Sequence, residues 1–321
     1  MVELNLNTTG EQIVAEYGAH ADGKTFVVTG PSAGGLGAEL LITLAAAKPA
    51  HFVLLGRTES KITPVIERIR AINPDIKLTF LHLDLLDNSS VRKAAADINA
   101  AVDTIDVLIN NAGVAAKKQF SLSKDGIEAH FATNYLGHFL MTNLLVDKIV
   151  KSNGIVVNVS STAYTLAETN TDDPNFNDGK DYHPWVAYGR SKTANILFTY
   201  ALAEKYRGDL VSLVADPGMA HDSQLLVNNA VDDAFLADGI KLAGERMPPG
   251  HPPPMPTLVS MQQAIATGLR AALDPELKAS APAFLKECNI ASTLPYAHDK
   301  AEALKLWHLS EKLVRERFGL K

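Results

Sequence analysis

The sequence predicts an α/β fold: one open, mainly parallel sheet, doubly wound, with helices on both faces. Three observations carry this. Short runs rich in Val, Ile and Leu recur without polar alternation, as in strands buried on both faces. Segments of helical spacing separate them. No repeat or linker-like composition break interrupts the series, so the connections should be right-handed crossovers in one sheet.

Strands are expected at 25–30, 51–55, 77–83, 105–109 and 154–159. Helices are expected between them at 35–47, 59–72, 89–102 and 124–151. The last of these should begin beside Ser123 as N-cap, with Asp125 at the positive end of the dipole. A helix at 185–206, a strand at 209–215 and two further helices should follow. Two segments break the rhythm. Residues 168–183 are polar and acidic, and 219–256 ends in MPPGHPPPMP, where proline removes donors and fixes φ. Each is a surface loop or a wall over a ligand.

The chain has 321 residues, 46% of them apolar, enough for a single domain spanning 1–321 with 219–256 as a substrate loop or lid within it. Net charge is −6, which disfavours a nucleic-acid footprint. One cysteine, Cys288, excludes internal disulfides and cysteine-based zinc clusters, and fits a reducing, cytoplasmic setting. No apolar stretch is long enough for a membrane span, no secretory leader is evident, and the ten histidines show no metal-site spacing. No metal is therefore expected.

Two motif matches carry the wrong context. GAHADGKT at 18–25 fits a phosphate-loop pattern, but its strand follows the loop instead of preceding it. GPSAG at 30–34 fits a nucleophile elbow around Ser32, but too little chain precedes it for a hydrolase sheet. The same turn reads better within TGPSAGGLG, 29–37, between a strand and a helix. There glycines let the backbone approach a pyrophosphate and the helix end offers free amides. About 20 residues on, at the end of the second strand, stands Arg57 and no acid. Its guanidinium suits a 2′-phosphate, which favours NADP over NAD.

Tyr188 and Lys192 lie four residues apart, on one helix face. A cation beside a phenol lowers its pKa and makes it a usable acid/base. A second such pair, Tyr296 and Lys300, follows a proline in a loop and reads as accidental. Around the first pair fall NNAG at 110–113, Asn134 in FATNYLGHF, and Ser160-Ser161, all at strand ends or in the helices that follow. Ligands of open parallel sheets bind there.

Together with Asp84 in HLDLLD and Pro217-Gly218, these motifs resemble, in order and spacing over roughly 8–318, the short-chain dehydrogenase/reductase superfamily. AYGRSKTANILF and KLWHLSEKLV resemble its retinol-dehydrogenase-like and protochlorophyllide-reductase-like branch, fungal members in particular. The resemblance implies a Rossmann-type fold and NADP(H)-dependent interconversion of a carbonyl and a secondary alcohol. C=C reduction, or a non-redox dinucleotide-binding regulator or isomerase, stands as the alternative. It implies Tyr188 as proton donor, Lys192 lowering its pKa and meeting the nicotinamide ribose, Ser161 orienting the carbonyl, and Asn134 holding a water. For the cofactor it implies Gly30, Ser32, Gly35, Leu36 and Gly37 at the pyrophosphate, and Arg57 at the 2′-phosphate. Asp84 and Leu85 would lie at the adenine, Asn111, Ala112 and Gly113 near the adenosine ribose, and Pro217 and Gly218 at the nicotinamide. The glycine turn is one residue longer than the family's, and the usual threonine contact falls to Asp222, to Ser223 or to neither. Tyr164, Trp185, Met219 and His221 flank the catalytic strand ends and are expected to line a substrate pocket. The expected partner is a small carbonyl or alcohol, hydrophobic or polycyclic; association into a homo-oligomer is left open.

Overall fold

A computed structural model describes residues 3–225, 231–247 and 258–319. Eight strands form one sheet: β1 (Thr25–Thr29), β2 (His51–Gly56), β3 (Lys77–His82), β4 (Val107–Asn110), β5 (Ile155–Val159), β6 (Val211–Asp216), β9 (Ala283–Lys286) and β10 (Asn289–Ala291). Their order is β10-β9-β6-β5-β4-β1-β2-β3, all neighbours parallel except β9 and β10. Two short strands, β7 (Met219–Ala220) and β8 (Leu258–Val259), pair separately. Strand order reverses between β1 and β4, and the crevice beyond their carboxyl ends is where such a sheet takes a ligand.

Alternate residues of each strand serve different layers. Phe26 and Val28 of β1 face α1 (Gly10–Tyr17), α2 (Leu36–Leu44) and α3 (Thr63–Ile72). Val27 faces α4 (Asn88–Ala101), α5 (Gly137–Val150), α6 (Pro184–Lys205) and the terminal helix α9 (Lys300–Val314). The first face also takes α8 (Met261–Leu273), which packs on α1 and α2. The remaining helix, α7 (Asp233–Arg246), packs on the 3₁₀ turn Thr162–Leu166.

The helix expected at 124–151 starts later, for a local reason. Ser123 Oγ accepts from the amides of Asp125 and Ile127 at 3.2 Å each, closing a turn instead of capping a helix. The cap is the buried Glu128 carboxylate, which accepts from the amides of His130 (2.9 Å) and Phe131 (2.8 Å). Phe131–Leu136 then winds as a π-helix before α5. Asp125 serves a different helix: its carboxylate accepts from the Asn88 amide at the start of α4 (2.9 Å). The pair β9 and β10 and the helix α1 are absent from the reading of the sequence. Strands of four and three residues are too short to show a period. Three helices, not two, follow β6 among the described residues, because α7 lies inside the segment read as loop. Of that segment, 226–230 and 248–256, with most of its proline run, lie outside the described residues.

The acidic segment 168–183 is a packed loop. Phe176 is buried beneath the Arg190 guanidinium, 4.0 Å from the ring centre, and the Asn175 side chain bonds the Gly126 carbonyl and Glu128 amide. It packs on the stretch 126–128 and does not line the cavity beyond the strand ends. The phosphate-loop look-alike at 18–25 is a 3₁₀ turn feeding β1.

Candidate active site

The turn after β1 is shaped by contacts that leave no room for side chains. Gly30 has φ +68°, and a Cβ there would stand 2.9 Å from the Cβ of Ala112. A Cβ at Gly37 would stand 2.5 Å from Asn111 Nδ2. The glycine turn and the NNAG turn are thus pressed together. Gly34 lies in the left-handed region, and Gly35 is the N-cap of α2. Glycine offers no capping side chain, so the first amides of α2, from Leu36 and Gly37, are not satisfied by a cap. Ser32 closes the turn through its carbonyl, which accepts from Gly35 N at 3.0 Å.

Arg57 stands exposed directly after β2 and makes no ion pair among the described residues. Asp84 accepts from the Leu86 amide (3.0 Å), and Leu85 turns inward, onto Gly137. Asn111 is committed to β1: its Nδ2 donates to the Thr29 carbonyl at 2.7 Å. Thr29 Oγ accepts from the amides of Asn111 and Ala112 (2.9 Å each), so its proton goes to His138 Nε2 at 2.9 Å. His138 Nδ1 then donates to the Asn134 carbonyl at 3.1 Å. Burial holds this ring neutral, with its pKa pushed down to about 4. Asn134 grips Val114 through both ends of its amide and donates to Ser191 Oγ (2.9 Å). Neither Thr29 nor His138 was singled out from the sequence, although GHF lies one turn beyond Asn134.

Ser161, Tyr188 and Lys192 line one cavity with Asn111, Gly113, Pro217 and Gly218. Tyr188 and Lys192 sit on α6, which is buried over most of its length between the sheet and α9. Ser161 N-caps the 3₁₀ turn after β5. Lys192 Nζ donates to the Val159 carbonyl (3.0 Å) and lies 5.6 Å from the centre of the Tyr188 ring. The expected lowering of the Tyr188 pKa by Lys192 is not what dominates. Burial pushes Tyr188 up to about 12; the Ser161 hydrogen bond pulls it down and the Asp216 charge adds to the rise. Burial likewise pushes Lys192 down to about 8, opposed by Asp216. Asp216, at the end of β6, escaped the sequence reading. It is 2% exposed, accepts from Thr162 Oγ, and accepts from the Gly218 amide at 2.9 Å. An acid at a strand end before Pro-Gly was the available signal.

Beyond these polar groups the cavity, about 180 Å³, is apolar, with Val114, Leu166, Leu236 and Ile240 among its walls. Trp185 and Met219 line it; Tyr164 and His221 do not. Tyr164 turns the other way, its hydroxyl accepting from the Leu294 amide at 3.1 Å and its ring edge-on to Phe284, because the 3₁₀ turn rotates it under the C-terminal loop. His221 points to solvent, 60% exposed. Of the two candidates after Pro217-Gly218, Ser223 is buried on the cavity and Asp222 is exposed. The second Tyr/Lys pair is dispersed: Tyr296 donates to the Tyr164 carbonyl (2.9 Å) and Lys300 is a surface cation near Glu204. Among the described residues, no group of His, Cys, Asp or Glu could hold a metal ion, and no helix is long and apolar enough to cross a membrane.

Comparison with known proteins gives a consistent picture. The short chain dehydrogenase family model matches residues 24–172. An oxidoreductase of Fusarium equiseti, fscI, is 34% identical over 239 residues, 66% of this chain and 93% of that protein. Mouse retinol dehydrogenase 12 is 31% identical over 293 residues, 91% of this chain and 86% of that protein. Among solved structures, an uncharacterised protein from Mycobacterium paratuberculosis superposes with a TM-score of 0.70 at 29% identity, covering 93% of this chain and 96% of that one.

Proposed function

The chain belongs to the short-chain dehydrogenase family of oxidoreductases, in its retinol-dehydrogenase-like branch, and from that premise we propose an NADP(H)-dependent enzyme that interconverts a carbonyl and a secondary alcohol. The observation that carries the reading is the convergence of Ser161, Tyr188 and Lys192 on the polar end of one apolar cavity. The residues present fit a dinucleotide. Gly30 and Gly37 let the glycine turn close on the NNAG turn, Gly35 leaves the α2 amides free for a pyrophosphate, and Arg57, which makes no ion pair among the described residues, offers a cation for a 2′-phosphate. The bound nicotinamide would supply or take up a hydride; the rest is the work of this chain.

Near neutral pH the Tyr188 phenol keeps its proton, which suits it to donate from Oη to a carbonyl oxygen during reduction. The Ser161 hydroxyl, which lines the same cavity as Tyr188, orients that oxygen and offsets its growing charge. Lys192 contributes a cation below about pH 8. Asn134, held on three sides, ties the loop segment at Val114 to α6. The apolar walls favour a hydrophobic or polycyclic substrate, and α7 with residues 219–225 would act as its lid. The single, buried thiol of Cys288 fits a reducing compartment such as the cytoplasm.

The test is NADPH oxidation followed by absorbance across a panel of aryl ketones. Tyr188→Phe should bind NADPH as the parent does, by fluorescence titration, and lose at least about a hundredfold in turnover. A variant turning over at the parent rate would remove Tyr188 from the chemistry.

A further inference from the structure

Resting on the reading of this cavity as a carbonyl site, we propose that Trp185 and Gly239 form a matched pair that sets the size of substrate the cavity admits. Trp185 lies in the first turn of α6, one turn before Tyr188, with the two ring centres 6.4 Å apart and edge-on. Both line the cavity. The indole is fixed from its other side by α7. Its Nε1–H donates to the Phe235 carbonyl at 2.9 Å, and the Phe235 ring lies 5.0 Å away between centres. One turn further along α7 comes Gly239, buried and also on the cavity.

A Cβ at Gly239 would stand 2.7 Å from Cε2 and 2.8 Å from Cδ2 of the indole, closer than packed carbon atoms come. Glycine in a helix interior weakens the helix, so this position serves something other than α7 itself. It is a notch into which the indole is seated. Held there, the ring is the joint between the helix that carries the catalytic phenol and the helix that roofs the cavity. A larger group at 239 would force the indole toward Tyr188, because its hydrogen bond to Phe235 keeps it on α7. A smaller ring at 185 would leave space in the wall beside Tyr188. The close approaches that shape the dinucleotide half of the site, Gly30 against Ala112 and Gly37 against Asn111, involve other residues.

Three proteins with NADPH bound are compared: the parent, Trp185→Phe and Gly239→Ala. The probes are acetophenone and benzophenone, which differ by one aromatic ring. Trp185→Phe should raise the ratio of kcat/KM for benzophenone over acetophenone by about tenfold, and Gly239→Ala should lower it by a similar factor, each with the parent's Kd for NADPH. Two variants that keep the parent's ratio would overturn the proposal, as would a rise with Gly239→Ala. If Gly239→Ala does not fold, the Trp185→Phe arm alone decides. Calorimetric Kd values of both ketones on the NADP-loaded proteins give a reading independent of turnover. The same ranking of affinities supports the pair even if no ketone is reduced, a result that would count against the carbonyl reading alone. Equal affinities across the three proteins overturn the pair.

Discussion

Asp216 carries a carboxylate to the end of β6 with almost no exposure, where a buried charge is costly unless it is bonded. Thr162 and the Gly218 amide supply the bonds, and Lys192 and Tyr188 feel its charge. The sign follows directly. Burial lowers the Lys192 pKa to about 8 and Asp216 resists that fall, so removing the charge lets Lys192 lose its proton earlier. Carbonyl reduction by the parent should be level below pH 8 and decline above it. In Asp216→Asn the decline should begin at lower pH, with the plateau rate reached only on the acid side. A pH profile of kcat/KM with the same midpoint as the parent would detach Asp216 from Lys192. Arg57 is the residue on which cofactor choice turns. It is exposed and makes no ion pair among the described residues, so Arg57→Ala should leave the fold alone. It should weaken NADPH by about tenfold to a hundredfold, the worth of charge-assisted hydrogen bonds, and NADH far less. Equal losses for the two cofactors, by fluorescence titration, would sink the 2′-phosphate assignment.

Among the elements, what the sequence made legible divides by the kind of force involved. The strands β1, β2 and β4 to β6 show in it because burial on both faces demands continuous apolar runs, and the half-buried edge strand β3 shows through Leu78, Phe80 and Leu81; the ends of all six shift by no more than about two residues. The start of α5 does not show, because the sequence offers two acceptors, Ser123 and Glu128, either of which could cap a helix. Ser123 closes a turn on its own neighbours, while Glu128, buried with His130, takes the helix amides and bonds the imidazole at 2.7 Å. Spacing favours both equally; only the packed loop 168–183, through Asn175, decides which one is inside. The 3₁₀ turn after β5 presents the same difficulty. Its rotation puts Thr162, Ala163, Thr165 and Leu166 on the cavity and sends Tyr164 the other way, which no strand or helix period predicts.

Across the whole molecule, the site sits where the sheet's two halves meet, and the residues that line its cavity come from turns and helices spread between Leu36 and Ala243. Its order along the chain was readable because each turn is fixed by a short motif at a strand end. Its substrate half was less so, because α7 reaches it from a segment whose composition reads as loop. The C-terminal quarter contributes in another way. On the face of α6 away from the sheet's ligand edge, Trp307 of α9 packs edge-on to Phe139 (5.0 Å between centres) and against Phe198 (6.0 Å). Tyr135 joins them and shares a hydrogen bond with Ser310 at 2.6 Å. Trp307 is 1% exposed, and its Nε1–H donates to Glu311, which also accepts from the amides of Phe318 and Gly319. This cluster clamps α5 and α6 together from behind, so its loss should act on stability and leave recognition intact. Trp307→Ala should lower the free energy of unfolding by about 3–5 kcal/mol, measured by circular dichroism in urea so that the lost fluorophore does not matter. Below the unfolding transition it should keep the parent's preference between NADPH and NADH and the parent's ratio between large and small ketones. A variant of parental stability would mean that α9 is not part of the cooperative core. A variant with altered cofactor or ketone preference would mean that the back of α6 transmits to the catalytic face, and that the two faces are not independent.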